Sequence, residues 1–563
     1  MPEAPSGLAL APDEGTLFVT CSGVESQVCL IDLASGKIAA RLRAGHTAMA
    51  PVVSPDGSML YVCNRFNNDV SVFDLRTRKE LRRIPVQREP TAAALTPDGR
   101  FLLVANHLHA GRADVGQVAA VVSVIDTAAG QVVKELALPA GSGALNDLRI
   151  SPDGRHAVVT HLVARFLLPT TQLERGWMST NAKTLIALDR LEILNTVLLD
   201  EVDRGAANPW GAAWSADSRT LVVTHAGTHE ISVIDFPALL AKLSKVPEQL
   251  PAGHVARPNP TYGIRTEVPN DLEFLVGLRR RIKLPETDRG PRAVVLLGTR
   301  AWVANYFSDT VSAVDLAAPQ PQWQSVPLVP GLESRRHVKI PKGVGAVREG
   351  EFYFHDAEIC FQGWQSCASC HPGDARADGL NWDLLNDGVG NPKNTKSLLF
   401  AHRTPPAMSL GVRETAETAV RAGLQHILFT VQPPKVADAI DEYLKSLRPV
   451  PSPLLVRGKL SEAAQRGRRV FDRAGCATCH PPKLFTDQRP YDVGTRAPFD
   501  QPGDVFDTPT LLELWRTAPY LHDGSAATLL EVLTARNSHD QHGKTSSLTP
   551  RETDDLCAYL LSL

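Results

Sequence analysis

The chain has 563 residues, with 59 lysines and arginines against 61 aspartates and glutamates, for a formal net charge of -2. That balance excludes a nucleic-acid binder driven by a dominant basic field. Apolar residues make up 43% and charged residues 21%, enough to bury several cores and too little charge for a disordered chain. No apolar run reaches the roughly 18 residues of a membrane-spanning helix. The opening Met1-Pro2-Glu3-Ala4-Pro5 lacks the basic and apolar stretches of a secretory leader.

A strand–turn pattern recurs over residues 5–320. Residues 54–64 read Ser-Pro-Asp-Gly-Ser-Met-Leu-Tyr-Val-Cys-Asn and are followed by Val70-Ser71-Val72-Phe73-Asp74. Related copies begin at Ala11-Pro12-Asp13, Thr96-Pro97-Asp98, Ser151-Pro152-Asp153 and Ser215-Ala216-Asp217, with a last one at Ala301-Trp302-Val303-Ala304-Asn305. Pro-Asp-Gly makes a tight turn, and the flanking Val/Leu/Ile runs are strand-length. Short strands repeating about every 40–65 residues fit the blades of a β-propeller. Six copies are recognisable, and seven blades fit if the divergent stretch 255–290 supplies one. The strand-end residues Cys21, Asn64, Asn106, His161, His225 and Asn305, with His107, His109 and His229, either satisfy loop backbone or line a metal-binding surface. The copies resemble the YVTN family of β-propellers, through Leu60-Tyr61-Val62-Cys63-Asn64 and Leu103-Val104-Ala105-Asn106.

Strand patterning stops near residue 345. Amphipathic helices follow at 413–428 and 436–447. A Pro-rich linker, Pro449-Val450-Pro451-Ser452-Pro453, precedes a second unit of the same plan, with helices at 461–471 and from Ser547 onward. Each unit holds one Cys-x-x-Cys-His motif, Cys367/Cys370/His371 and Cys476/Cys479/His480. That spacing reads as c-type haem attachment, with two thiols on one helical turn for the porphyrin vinyl groups and an adjacent histidine as axial ligand. A redox dithiol would need a βαβ setting, and a structural zinc site would need the four thiols pooled. Of the other cysteines, Cys21 and Cys29 lie on consecutive strands and could pair, and Cys63 and Cys557 fall in apolar runs. The expected architecture is therefore an all-β propeller, seven-bladed on that count, over residues 1–345, then two all-α cytochrome c-like domains over 346–448 and 449–563.

The C-terminal part resembles the bacterial di-haem cytochrome c peroxidase and MauG family. The shared features are Gln365-Ser366-Cys367-Ala368-Ser369-Cys370-His371, Phe485-Thr486-Asp487, and Thr508-Pro509-Thr510-Leu511 leading to Thr517-Ala518-Pro519-Tyr520-Leu521-His522-Asp523-Gly524. The resemblance implies two covalent c-type haems, a periplasmic or cell-envelope location, and a peroxidase-like oxidoreductase that uses hydrogen peroxide and a small redox protein or protein substrate, with the propeller as docking platform. It also implies a methionine ligand on the second haem. None of the five methionines lies between 450 and 563, so His542 is favoured there, ahead of His539, His522, Tyr491 and Tyr520. Met408, His402 and His426 compete as sixth ligand of the first haem. Glu417 and Glu414 are candidates for proton transfer to peroxide, and Trp382 or Trp364 for electron relay. Asn386-Asp387-Gly388 resembles a Ca²⁺-holding turn. The alternative is a non-enzymatic electron-transfer protein with both haems six-coordinate.

Overall fold

The computed structural model describes residues 3–166, 168, 178–248, 264–328, 344–384 and 390–563. Among these, the N-terminal part forms six four-stranded antiparallel sheets over residues 4–43, 48–85, 90–137, 142–198, 209–283 and 291–327, each with its strands in sequence order. These are propeller blades, and the seventh expected between 255 and 290 is not among them. Among its described residues that stretch contributes a single strand, Arg279–Lys283, which closes the fifth sheet against Glu230–Asp235 after the helix α1 (Phe236–Ser244) and a long insertion. The apolar face of each blade packs on the next, as where Phe18, Val28 and Leu30 meet Leu60, Val62 and Phe73. The outward faces of the first and sixth blades leave Leu8, Leu10, Val295 and Leu297 exposed.

The Pro-Asp-Gly turns behave as their chemistry dictates. Asp56 Oδ1 accepts from the Ser54 hydroxyl and from Ser58 N (3.0 Å), while Gly57 takes φ 71°. Thr96-Asp98-Gly99 and Ser151-Asp153-Gly154 repeat this, and Ser218 adopts φ 59° where its copy lacks glycine. At the other end of each blade the strand-end residue bonds to the third strand. Asn64 donates to Ser71 (2.7 Å), Asn106 to Ser123 (2.9 Å) and Asn305 to Ser312 (2.6 Å), and His161 and His225 pair with Thr184 (2.7 Å) and Ser232 (2.8 Å). In the first blade Cys21 and Cys29 hold this place with their sulfurs 3.9 Å apart.

The helical part contains two copies of one scaffold. The first has α2 (Val344–His355), the short turns α3 (Cys367–Cys370) and α4 (Pro372–Ala375), α5 (Ala416–His426) and α6 (Pro434–Ser446); the second has α7 (Glu462–Arg473), α8 (Leu529–Leu533) and α9 (Pro550–Leu560). In each, the first and last helices cross at a glycine. A Cβ on Gly350 would lie 1.9 Å from Ala439 O, and one on Gly467 would lie 1.8 Å from Asp555 O. Beside each crossing an aromatic pair repeats, Phe354–Tyr443 at 5.3 Å and Phe471–Tyr559 at 5.4 Å between ring centres. Thr415 and Thr528 cap α5 and α8 through their hydroxyls, as N-cap chemistry requires.

Both helical domains sit on the propeller face opposite the Pro-Asp-Gly turns. The first covers the fourth to sixth blades, with Asn181 donating to Trp364 O (3.0 Å), Gly205 N to Gln362 O (2.8 Å) and Tyr306 to Glu351 (2.9 Å). The second covers the second and third blades. Arg88 donates to the carbonyls of Arg516 (2.6 Å) and Ala518 (2.5 Å), Ala113 N to Gly524 O (2.9 Å), and Phe66 packs on Trp515 with ring centres 5.1 Å apart.

Candidate haem sites

The two Cys-x-x-Cys-His motifs follow one plan with a local difference. In the first, the helical turn spans both cysteines, Cys367–Cys370, and brings the two thiols to the same side. The second departs from the expected single turn at Cys479. Its turn is the tighter 3-10 type and covers only Cys476–Thr478, entered from Gly475 at φ 83°. Cys479 falls just outside as the residue that caps it, with φ -98° and ψ -23°. Its N–H still bonds back to Cys476 O, and its carbonyl receives Asp487 N at 2.9 Å. Cys476 and Cys479 are both half-buried, form no disulfide, and lie close enough that the second helps raise the thiol of the first. The tighter turn therefore keeps Cys479 beside Cys476, held by its backbone rather than by a full helical turn.

In both motifs the histidine backbone closes the turn, His371 N on Cys367 O (3.0 Å) and His480 N on Cys476 O (2.9 Å). Its side chain is then aimed by one further bond. His371 Nδ1 donates to Arg376 O at 3.0 Å, and His480 Nδ1 to Phe485 O at 2.8 Å. A proton fixed on Nδ1 leaves the Nε2 lone pair for a metal. Burial keeps both rings neutral, pushing His371 down to about 4 and His480 down as well. Burial also pushes the Cys367 thiol up to about 12 and the Cys476 thiol up to about 11. A redox dithiol needs the opposite shift. Among the described residues the four thiols are not pooled around a common metal position.

Opposite His480 stands His542, with ring centres 6.4 Å apart. Two metal–nitrogen bonds of about 2 Å in line, plus each ring's own radius, require roughly 6 Å between the centres of two axial imidazoles. The pair therefore fits a haem iron between them. Burial, and then the nearby His480, push His542 down to about 4, so it too offers a lone pair. The loop that carries it is pinned by Asn537, whose amide donates to the carbonyls of His542 (3.1 Å) and Gly543 (2.9 Å). The competing residues have other partners, although Tyr491 also stands beside Cys479. His522 bonds Asp500 (2.8 Å) and stacks on Phe506, Tyr491 donates to Asp487 (2.7 Å), Tyr520 donates to Leu514 O (3.0 Å), and His539 is exposed beside Ser538.

The first site differs on this side. The loop between α5 and α6, Ile427-Leu428-Phe429-Thr430-Val431-Gln432-Pro433, holds no histidine, methionine, lysine, tyrosine or cysteine. His402 is bonded to Asp441 (2.8 Å) and His426 is exposed. Met408 lies on the loop after α4 in the left-handed region (φ 73°), outside the apolar clusters that hold Cys367 and Cys370. Cys370 packs instead with Val118, Phe166 and Met178 of the propeller and with Leu380 and Trp382. Met178 escaped sequence reading because it sits in a propeller insertion; its sulfur accepts from Gln365 Nε2 at 3.3 Å.

Trp382 donates its indole N–H to Asp378 Oδ2 at 2.8 Å, and burial pushes the Asp378 carboxyl up to about 6. The two-residue strand of Trp382 pairs with Lys393–Asn394, which in turn bonds His522 O of the second domain (2.7 Å). Trp364 is buried and packs in the cluster with Cys367. Glu417 occupies the first turn of α5, and its side chain is 43% exposed with Lys445 at 3.4 Å. Its own backbone N–H, and then His402 and Lys445, hold its carboxyl below the usual range, so burial has not made it a poised acid. Glu414 is exposed. The turn Asn386-Asp387-Gly388 lies outside the described residues.

One cluster has metal-ligand composition: His229, Asp356 and Glu358, at the seam between propeller and first helical domain. His229 Nδ1 accepts from Gly290 N at 3.0 Å, which places the ring proton on Nε2, facing Asp356 at 3.3 Å. A protonated Nε2 is no ligand, and Arg289 already holds Glu358 at 2.7 Å. The cluster is an interdomain clasp.

A family model for "Lactonase, 7-bladed beta-propeller" matches residues 31–115. The chain is 32% identical over 272 residues to hydrazine synthase subunit gamma of Kuenenia stuttgartiensis, across 38% of this chain and 77% of that protein. It is 27% identical over 210 residues to the beta subunit of the same organism's hydrazine synthase, spanning 36% of this chain and only 49% of that subunit. The methylamine utilization protein MauG of Methylophilus methylotrophus is 27% identical over 270 residues, 38% of this chain and 81% of that protein. Two haem motifs with aimed histidines, on helical domains of one plan, agree with these relatives. The chain belongs to the MauG-like family of di-haem cytochrome c peroxidases and hydrazine synthase gamma subunits, joined here to an N-terminal β-propeller.

Proposed function

We propose that the protein is a periplasmic or cell-envelope oxidoreductase with two c-type haems of unequal roles: a peroxide-reactive first haem on His371 and an electron-transferring second haem between His480 and His542. The observation that carries this reading is the asymmetry of the far sides, His542 facing His480 at 6.4 Å against a first-site loop with no strong ligand. Bound haem supplies the redox chemistry; the chain supplies its control. Cys367 with Cys370, and Cys476 with Cys479, would carry the two porphyrins. His371 and His480 are each locked by a backbone carbonyl, which fixes the tautomer and strengthens the donor. Trp382, between Cys370 and the strand that touches the second domain, offers an oxidisable indole whose N–H is already bonded to a carboxyl. The electron donor or oxidised substrate is a small redox protein or a protein side chain, as peroxidase-like relatives suggest.

The propeller's part differs from a free docking platform. One face is filled by the chain's own haem domains, so its rigid blades serve to hold them in register, and any partner meets the opposite face or the blade sides. Sequence similar to both beta and gamma subunits of one enzyme lies on one polypeptide, which supports such a built-in pairing.

Low-temperature EPR of the ferric protein, with haem content measured alongside, tests the reading. We expect two haems per chain, one high-spin and one low-spin signal, and loss of the high-spin signal on adding peroxide. Two low-spin signals in the ferric protein, and a single low-spin signal with no high-spin one after half-reduction, would overturn the enzyme reading in favour of electron transfer alone. Fewer than two haems would remove its basis.

A further inference from the structure

Two buried side chains tie the proximal histidine of the first site to the second haem domain, and neither belongs to a ligand set. The carbonyl that receives His371 Nδ1–H is that of Arg376, at 3.0 Å. The guanidinium of the same residue forks onto Glu513, Nε to Oε2 at 2.6 Å and Nη2 to Oε1 at 2.8 Å. The two side chains are 4% and 0% exposed. Glu513 begins the turn Leu514–Arg516 of the second domain, and its carboxylate also receives the backbone N–H of Val450 in the linker.

The backbone between His371 and Arg376 explains why an anchor is needed. Gly373, Asp374 and Ala375 all take positive φ, 60°, 66° and 61°. For non-glycine residues such a run is costly and persists only where surrounding contacts enforce it. Backbone bonds hold the segment at Arg376 N to Pro372 O (3.0 Å) and Leu398 N to Ala375 O (3.0 Å). The guanidinium adds side-chain anchors, bonding Asp374 O at 2.6 Å and Arg448 O at 3.2 Å as well as Glu513. In the second domain the matching carbonyl belongs to Phe485, which has no charged side chain to anchor.

We infer that Arg376 and Glu513 are a positioning pair that sets the hydrogen bond on His371 and so couples the first haem's redox balance to the seating of the second haem domain. A strong bond from Nδ1–H makes the imidazole a better donor and favours ferric iron. Loosening the anchor weakens that bond and favours ferrous iron. The inference rests on the first haem being held by His371.

The test uses the full-length holoprotein with Glu513→Gln, which keeps the size of the side chain and removes its charge. Haem content, the midpoint potential of each haem and the iron–histidine stretch of the ferrous first haem are measured. We expect two haems, a shift of the first haem's ferric/ferrous balance toward ferrous of about threefold or more, roughly 28 mV at 59 mV per decade, a lower iron–histidine frequency, and no shift in the second haem. Two haems with the first potential and stretch unchanged would overturn the inference while leaving the proposed function intact; missing haem at His371 would instead strike the proposed function. Arg376→Lys retains the buried charge pair and drops one prong, so it keeps the test open where Glu513→Gln strands the guanidinium and does not fold. It should move the first potential in the same direction, and an unchanged value again counts against the pair.

Discussion

The two helical domains are the same scaffold used twice, and they differ at the turn that carries the cysteines and on either side of the histidine. The helix crossing at Gly350 is repeated at Gly467, and the Phe354–Tyr443 pair at Phe471–Tyr559. Short antiparallel bridges recur at Ala407–Arg413 and Tyr520–Ala526, with Met408 and Leu521 at φ 73° and 72° beside them. The loop before the last helix is where they diverge. In the second domain it is long and carries His542; in the first it is short and apolar. The near side diverges too, since His371 leans on a carbonyl anchored by an ion pair and His480 on one that is not. On the proposed reading a repeated core would fix haem attachment, while unequal loops would give the two irons different access.

The largest effect should come from breaking that divergence at His542. His542→Ala should convert the whole low-spin EPR signal of the second haem to high spin and make both sites alike. His542→Met should keep it low-spin and raise its potential by a sizeable part of the roughly 0.8 V that axial ligation spans. A low-spin signal unchanged in His542→Ala would mean that another residue holds the sixth position.

The shared scaffold can be broken one copy at a time. A methyl group on Gly467 meets Asp555 O at 1.8 Å and one on Gly350 meets Ala439 O at 1.9 Å, so the helices must move apart. Overpacking of this kind costs about 1–3 kcal/mol or more. Gly467→Ala should lower the melting temperature and perturb the spectrum of the second haem alone, and Gly350→Ala that of the first. Equal perturbation of both haems by either variant would show that the domains do not hold their haems independently.

Much of this was legible in the sequence, for identifiable reasons. The haem motifs, the Pro-Asp-Gly turns and the capped helices are local signals, each set by residues within one turn of each other. The spacing could not show that Cys479 sits outside its turn, because that depends on Gly475 entering from the left-handed region. His542 was singled out because the second domain has no methionine, and the structure sets its ring 6.4 Å from that of His480. The blade count was not legible, because the stretch ending in Arg279–Lys283 has the length of a blade while its described residues give one strand. Glu417 lies in the first turn of α5, where its own N–H and Lys445 hold it ionised, which a sequence motif does not reveal. Arg376–Glu513 joins residues 137 apart, and the Met178–Gln365 contact joins residues 187 apart. Pairings across domains leave no periodicity to read.

The smallest effect sharpens the comparison from the outside of the first domain. Asp441 on α6 holds both His402 (2.8 Å) and Arg421 (2.7 Å). Burial alone would raise its carboxyl, but the bonds to His402 and Arg421 outweigh that and hold it below the usual range. Because the folded form binds its proton less readily than the unfolded chain, the unfolded state holds more protons in the acid range. Stability from this group is therefore present above about pH 4 and lost as pH falls through the lower folded value. Arg421 is 44% exposed, so solvent screens one of the two bonds. Asp441→Asn should cost about 1 kcal/mol at neutral pH, and the difference from wild type should vanish in strong acid. Followed by the first haem's own absorbance, the acid limb of its unfolding should flatten while that of the second haem stays put; a matching change in the second would mean that the Asp441 bonds support both domains rather than the first.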